Sequence, residues 1–423
     1  MTTAAIILCG GFLALIIVGM PFALAIAVAC MLVVLFKGME PAFLAAQLIS
    51  GSQSFSLLAV PLFILAGGLM GAGGITTRLI GVANVLVRHF TGGLAMVVVV
   101  AATIFGSISG SAPATTAAVA AMMIPAMVAA GYDKAFATSI CVSAGVLGPL
   151  LPPSIAFVIW GVIAEQSIPK LFLSGIVPGL TIAAGLLGIC YFHARRNNLP
   201  REKRADLGEI ATAVWDGKWA LLSPFVVLGG IYGGIFTPTE AAAISCVYAL
   251  VIGALVERKF TWGSLTASLG TAARTSSVVL SIVVVSAAFG VLVAQERVAL
   301  NLATYLAEAI DQRWIMLAGI NVAIFVLAAF MDEVAIMLIL GPLLISLANQ
   351  FGVDPIHFGS IIVTNVAIGM AAPPIGYCLF VGMAVSGLTL GQISRAIWPQ
   401  IIVMLVVLFL TTYIPQFALV FVR

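Results

Sequence analysis

Asp332 and Glu333 stand alone: no other carboxylate occurs between Asp311 and Asp354 in a tract that is otherwise almost wholly apolar. A carboxylate at membrane depth costs roughly 2.5–3.5 kcal/mol on insertion scales, so such a pair calls for a proton, a cation or a charged partner. Further up the chain, Gly106-Ser-Ile-Ser-Gly-Ser-Ala-Pro113 runs into Thr115-Thr116 and gathers neutral hydroxyl oxygens in one short stretch. Hard cations prefer oxygen ligands. Two more stretches, Gly145-Val-Leu-Gly-Pro-Leu-Leu-Pro-Pro-Ser154 and Gly369-Met-Ala-Ala-Pro-Pro-Ile-Gly376, place a Pro-Pro pair inside an apolar run. Proline removes a backbone donor and clashes with the preceding turn, so each pair must break a helix. Broken backbone exposes carbonyls, which suit a dehydrated cation, and helix N-termini, which suit a carboxylate.

The elements that position these residues are membrane helices. Of 423 residues, 62% are hydrophobic and 8% charged, against about 25% charged in soluble domains; mean hydropathy is +1.23. Apolar stretches long enough to span recur along the whole chain, which predicts an all-α polytopic membrane protein. The first segment lacks a basic leader region and reads as a transmembrane helix rather than a cleaved signal. The six cysteines are scattered without paired spacing and read as small core residues. No GxxxxGK[ST] motif occurs, which argues against ATP hydrolysis by this chain. No nucleophile–base pair or catalytic metal cluster is legible, and nothing suggests a nucleic-acid partner. The chain therefore reads as a non-enzyme.

The sequence says one thing twice. Residues 131–179 and 352–400 align without a gap at an offset of 221, matching Gly131, Asp133, Ser139, Gly148, Pro152, Pro153 and Pro178 to the same residue types. Residues 1–204 form a first repeat, with spans at 3–19, 20–36 and 53–72, an amphipathic stretch at 75–90, a long interrupted segment at 93–130, a broken span at 135–165 and a final span at 170–194. Residues 205–423 repeat the order, with spans at 219–236, 238–256 and 275–294, an amphipathic stretch at 298–311, a long segment at 314–349, a broken span at 356–386 and a last span at 400–421. Five crossings per half is an odd number, so the second copy is expected to be inverted. The basic cluster Arg195, Arg196, Arg201, Lys203 and Arg204 should face the cytoplasm. That choice leaves Lys37, Lys170, Arg297, Arg313 and Arg423 outside out of 18 Lys and Arg, and puts both termini outside.

A straight helix over 93–130 would be about 57 Å long, nearly twice a ~30 Å hydrocarbon core. Arms of about 12 and 17 residues around the Gly106–Pro113 break fall short of the ~20 that a full crossing needs, so a re-entrant hairpin is expected in each half. Aligning Pro125 with Pro342, at an offset of 217, places Thr115-Thr116 opposite Asp332-Glu333. Blander alternatives exist for each motif. Gly106-xxx-Gly110 could be a helix-packing motif, a single Pro-Pro pair a mere kink, and the acidic pair a structural ion pair or a protonated tip. Arg78, Arg88 and the acids at 296, 308 and 311 read as solvated or headgroup-facing on amphipathic stretches. His89, His193 and His357 read as interfacial, and Glu165 and Glu240 as span-end residues without a specific role.

Phe105-Gly-Ser-Ile-Ser-Gly-Ser-Ala-Pro-Ala-Thr-Thr116, the Gly148–Ser154 break, Ser174-Gly-Ile-Val-Pro-Gly179, Thr237-Pro-Thr-Glu240 and the Ala371–Gly376 break together resemble the large membrane subunit of tripartite ATP-independent periplasmic (TRAP) transporters. The resemblance covers essentially the full chain. It implies an elevator-type transporter of the bacterial inner membrane, in which a mobile domain of hairpins and broken spans moves against a scaffold. It also implies Na⁺ coupling, a small four-helix membrane subunit, a soluble periplasmic binding protein, and an organic-acid substrate such as a sialic acid or C4-dicarboxylate. Carried over by position, one Na⁺ site would use Ser109, Ser111, Thr115, Gly145 and Gly148, and its counterpart Asp332, Thr364, Gly369 and Ala371. Substrate candidates are Thr116, Pro152, Ser154, Glu333 and Pro373. Related dicarboxylate symporters carry Ser-Asn-Thr at their hairpin tips, where this chain has Thr115-Thr116-Ala117 and Asp332-Glu333-Val334. The alternative is a self-sufficient proton-coupled or exchange-type anion transporter of the same architecture. A channel or a structural assembly factor is a further class, and the duplication gives no reason to expect either.

Overall fold

A computed structural model describes residues 2–199, 201–297 and 312–422. All regular elements among them are helical. Seven helices are long and apolar enough to cross a membrane, or eight if the bent pair Lys134–Leu150 and Ile155–Ile163 counts as one span. The first half begins with Thr3–Ile17, Phe22–Phe36, Pro41–Ser52 and Ala59–Ala72, then the amphipathic helix Ile75–Val87. Its hairpin pairs Gly93–Ser109 with Ala112–Ala129. The broken span follows, bent by 43°, and Ile168–Arg196 closes the half. After a linker helix, Leu207–Asp216, come Lys218–Tyr232, Pro238–Val251 and the 34-residue helix Trp262–Gln295. The second hairpin is Arg313–Ala328 with Glu333–Gln350; the second broken span is Pro355–Gly369 with Tyr377–Ser386; the chain ends in Leu390–Tyr413 and Pro415–Leu419. The amphipathic stretch expected at 298–311 lies outside the described residues.

Duplicated residues turn out to be the punctuation of the fold. Gly131 and Gly352 end their hairpins with φ of +88° and +63°, a region open to glycine at no steric cost. Asp133 and Asp354 cap the next helices, accepting from the backbone N–H of Phe136 (2.9 Å) and of Ile356 and His357 (3.0 and 2.9 Å). Both return arms are 18 residues long and start at Ala112 and Glu333, so the offset of 221 extends through the hairpins. This corrects the 217 alignment. Asp332 stands where Ser111 stands, as the residue capping its arm, and not opposite Thr115. Pro125 and Pro342 simply occupy different turns, because a helix end is fixed by its cap and its terminal glycine and not by a proline inside it.

Three further expectations need correction. The first hairpin arm runs for 17 residues through Gly106 and Ser107, because Gly-Ser-Ile-Ser lacks anything that forbids a helix; the break shrinks to Gly110-Ser111, with Gly110 at φ +63°. No element was expected at 41–52 or 207–216, and both are helices capped by ordinary start signals, Pro41 at the first turn and Asp206 accepting from Glu209. Third, the second copy of the segments 41–52 and 59–72 is one continuous helix, Trp262–Gln295, and not a span starting at 275. Pro61 explains the difference: it lacks the N–H that a helix running through residues 53–58 would need, whereas Ile282 at the equivalent place supplies one.

The halves interlock. Ile155–Ile163 of the first broken span packs on the return arm Glu333–Gln350 of the second hairpin, and Tyr377–Ser386 packs on the return arm Ala112–Ala129 of the first. At the first of these crossings a side chain on Gly341 would meet Ile163 at 2.8 Å; Tyr377–Ser386 also packs on Lys134–Gly145, where a side chain on Gly382 would meet Val142 at 2.6 Å. The remaining helices, Thr3–Ser52, Ala59–Ala72, Pro238–Val251 and Trp262–Gln295, pack mainly against one another.

Candidate functional site

At the first junction the hairpin tip enters the broken span at its break. The Ser109 and Thr115 hydroxyls lie 2.8 Å apart, and Thr115 donates to the Ser111 carbonyl at 2.8 Å. A side-chain carbon on Gly148 would fall 2.6 Å from that carbonyl and 2.8 Å from Thr115 Oγ1; one on Gly145 would fall 1.9 Å from Thr116 Oγ1. Only glycine leaves room for these oxygens. Ile155 N–H donates to the Gly110 carbonyl at 3.3 Å, which fixes the tip at the middle of the neighbouring span, as a re-entrant hairpin requires. Ser109, Ser111, Thr115, Gly145 and Gly148 are therefore brought together. Thr116 Oγ1 is buried there without a partner.

The second junction is built from the same parts with different atoms. Gly369 packs so tightly on Ala328 that an added Cβ would lie 2.2 Å from the alanine methyl, and Gly376 N–H donates to the Ala329 carbonyl at 2.8 Å. Ala371 is buried, as is Thr364, whose hydroxyl finds no partner. Asp332 Oδ1 accepts from Val334 N–H at 2.9 Å, as a helix cap. Glu333 is 5% exposed and its Oε2 has no hydrogen-bond partner.

The two tips face a shared cavity of about 570 Å3, walled by Ser109, Ser111, Asp332 and Glu333 on the hairpin side and by Gly67, Gly68, Ser268, Thr271 and Thr275 of Ala59–Ala72 and Trp262–Gln295 on the other. A larger cleft of about 830 Å3 lies elsewhere, between Ile75–Val87 and the linker helix. There Arg78 pairs with Glu257 at 3.1 Å and Asp216 at 3.8 Å, and Arg88 with Glu209, so the bridges to Asp216 and Glu209 tie the linker to the amphipathic helix. Arg88 is thus held in place and not merely solvated. Glu296 is likewise not solvated: it is 7% exposed and receives bonds from Lys37 and Thr2, which hold its carboxyl below the usual range. His357 is buried, not interfacial, with Nε2 2.7 Å from the Thr411 carbonyl. Glu240 has a specific role after all, closing a capping box with Thr237.

Among the substrate candidates only Glu333 reaches the cavity wall. The Ser154 hydroxyl is buried and committed to the Pro149 carbonyl and the Phe157 N–H, so its role is to restart the helix after the break. Pro152 is buried, Pro373 half-buried, and neither lines the cavity. Sequence reasoning missed Ser143, whose orphaned buried hydroxyl sits 221 positions before that of Thr364; the repeat register could have found it. It also missed Ser268, Thr271 and Thr275. Their spacing of three and four puts three hydroxyls on one face of an apolar helix, a signal legible without coordinates.

The oxygens on offer are neutral at the first junction and include the Asp332 and Glu333 carboxylates at the second, and among the described residues no cluster of three His, Cys, Asp or Glu side chains could hold a metal. That donor set fits an alkali cation rather than a transition metal. Residues 9–417 match the family model of the tripartite ATP-independent periplasmic transporter, DctM component. The chain belongs to this TRAP large-permease family. It is 40% identical over 417 residues to the isethionate TRAP transporter permease protein DctMQ of Oleidesulfovibrio alaskensis, covering 98% of this chain and 66% of that longer relative. It is 38% identical to the C4-dicarboxylate TRAP transporter large permease protein DctM of Pseudomonas aeruginosa (92% and 91% covered). It is 35% identical to the sialic acid TRAP transporter large permease protein SiaM of Vibrio cholerae (97% and 96%). The crystal structure of the Alcanivorax borkumensis YdaH transporter, described as having an unusual topology, shares the fold at TM-score 0.64 and 14% identity, with 88% of each chain covered. The chain is a permease subunit of a TRAP transporter, a multi-span helical membrane protein and not an enzyme.

Proposed function

We propose that this TRAP permease imports an organic acid across a bacterial inner membrane by Na⁺ symport, working with a four-helix membrane subunit and a periplasmic binding protein, with both termini periplasmic. The hairpins and broken spans form the moving body and the helices around Trp262–Gln295 the scaffold. The observation that carries this reading is the cavity between the two tips and the scaffold, flanked by a tip–break junction in each half. Na⁺ would be held by the oxygens of Ser109, Ser111, Thr115 and residues near Gly145 and Gly148, and in the second half by Asp332, Thr364 and carbonyls near Gly369 and Ala371. The glycine cradles and the orphaned Thr116, Ser143 and Thr364 hydroxyls fit that role. A bound cation supplies positive charge beside the cavity, against which the tips and their helix N-termini hold a substrate carboxylate. Relatives named for isethionate, C4-dicarboxylates and sialic acid share an acidic substrate.

Counterflow in proteoliposomes tests the coupling: exchange should stop when Na⁺ is replaced by choline, and an undiminished rate sinks it. A second reading, proton coupling or exchange, is favoured by the unpartnered buried carboxylate of Glu333. It predicts uptake that follows pH and ignores Na⁺.

A further inference from the structure

The cavity wall carries two carboxylates, Asp332 and Glu333, and no Lys, Arg or His. Arg274, on the scaffold helix beside Thr275, is exposed and not part of the wall. Asp332 has a backbone donor from its own helix. Glu333 lines the cavity, and its buried Oε2 has none. Opposite it stand hydroxyls, Ser268, Thr271 and Thr275, which can accept as well as donate. With Asp332 engaged by its cation, a substrate with two carboxylates would still have to bring one of them against Glu333, in a low-dielectric space where like charges repel strongly. A buried acceptor left unpaired penalises any ligand that cannot donate to it.

We infer that the substrate carries a single anionic group, that its other end donates hydrogen bonds to Glu333 through hydroxyls or an ammonium, and that Glu333 excludes dicarboxylates. This rests on reading the cavity as the substrate site and narrows the acid to one class. Its anionic group meets the tips and their cations; its donor end bonds the Glu333 carboxylate where that side chain meets the cavity. Glu333 is thereby a specificity-determining residue.

The test reads binding to the membrane protein itself, so that a partner's selectivity does not enter. The full-length chain, purified with its small subunit in saturating NaCl, is titrated with gluconate, taurine or succinate up to about 100 mM, and its melting temperature followed, since a ligand that binds the folded state stabilises it. Gluconate or taurine should act at a concentration at least about tenfold below succinate; which of the two is stronger tells hydroxyls from ammonium. Glu333→Gln should erase that preference by about tenfold while Glu333→Asp keeps most of it. Thr271→Arg, adding the missing cation to the opposite wall, should strengthen succinate at least about fivefold even if Glu333→Gln does not fold. Succinate binding as well as the other two, an unchanged preference in Glu333→Gln, or no response to any probe overturns the inference. Because Na⁺ is constant in every arm, failure of the coupling proposal would leave this ranking intact.

Discussion

The two tip–break junctions use one backbone device and fill it differently. In the first half the whole break from Gly145 to Ser154 is buried, and the tip brings only hydroxyls and a carbonyl. In the second, Pro374 and Ile375 are exposed, Pro373 is half-buried, and the tip brings two carboxylates. Duplication therefore preserved the scaffolding residues, the terminal glycines and the Asp caps, while the atoms offered to a ligand diverged. Ser111 and Asp332 hold equivalent positions, yet only Asp332 caps its arm through its side chain. One junction is neutral and enclosed, the other charged and partly open at the surface.

The contrast can be broken hardest at its glycines. Gly148→Ala should lower transport by about 100-fold, since displacing reacting groups by an ångström costs that much in comparable sites. No second substitution should rescue it, because the obstacle is the Ser111 carbonyl. Gly369→Ala should fail comparably, yet Ala328→Gly should restore it, because the obstacle there is a methyl group. Uptake by the single and double variants decides the matter. Next in size, Asp332→Asn should raise the half-saturating Na⁺ concentration about tenfold, the ~1.4 kcal/mol of a charged ligand replaced by a neutral one, while Ser111→Ala should leave it within about twofold because only its carbonyl is used.

Smaller effects sharpen the same comparison. Thr364→Val removes a buried hydroxyl that has no partner, so without Na⁺ the variant should be neutral or about 1 kcal/mol more stable. Thr115→Val breaks two hydrogen bonds and should cost about 1 kcal/mol under the same conditions. Melting with and without Na⁺ separates them, since both should lose the Na⁺-dependent gain. Outside the junctions, Glu296→Gln should cost about 1–2 kcal/mol at neutral pH, discounted for the half-exposed Lys37. Because bonding to Lys37 and Thr2 depresses this carboxyl below 4.5, its contribution is complete above that value and is lost as pH falls through the lower, folded value. Wild type and variant should then melt alike in strong acid.

Much of this was written in the chain. The duplicated Gly131, Asp133, Gly148 and Pro152-Pro153 announce hairpin end, cap, cradle and break, since each type performs one backbone task that few others can. The matched breaks imply that tip and broken span meet, and the resemblance to the TRAP large subunit implies the set Ser109, Ser111, Thr115 and Gly148. The wall at Thr271 and Thr275 was harder to see, because tertiary packing alone decides that a scaffold helix faces the tips. The fates of Ser154 and Glu296 were equally hidden. A hydroxyl beside a break serves a cap as well as a ligand, and only coordinates show that Lys37 and Thr2 close on a distant glutamate. Asp332 pairs in register with Ser111 and not with Thr115 because the helix caps, and not the internal Pro125 and Pro342, keep the repeat.

Each half's post-break helix is seated on the other half's hairpin, and this has a consequence for the chain's origin and engineering. A polypeptide holding one copy alone would expose the groove around Val142 or the one around Gly341 to lipid, with nothing to fill it except another molecule of itself. The single-copy precursor of such a duplication would have been stable only in pairs, and a protein severed between residues 197 and 206 should reassemble when both pieces are supplied together but not when either is made by itself.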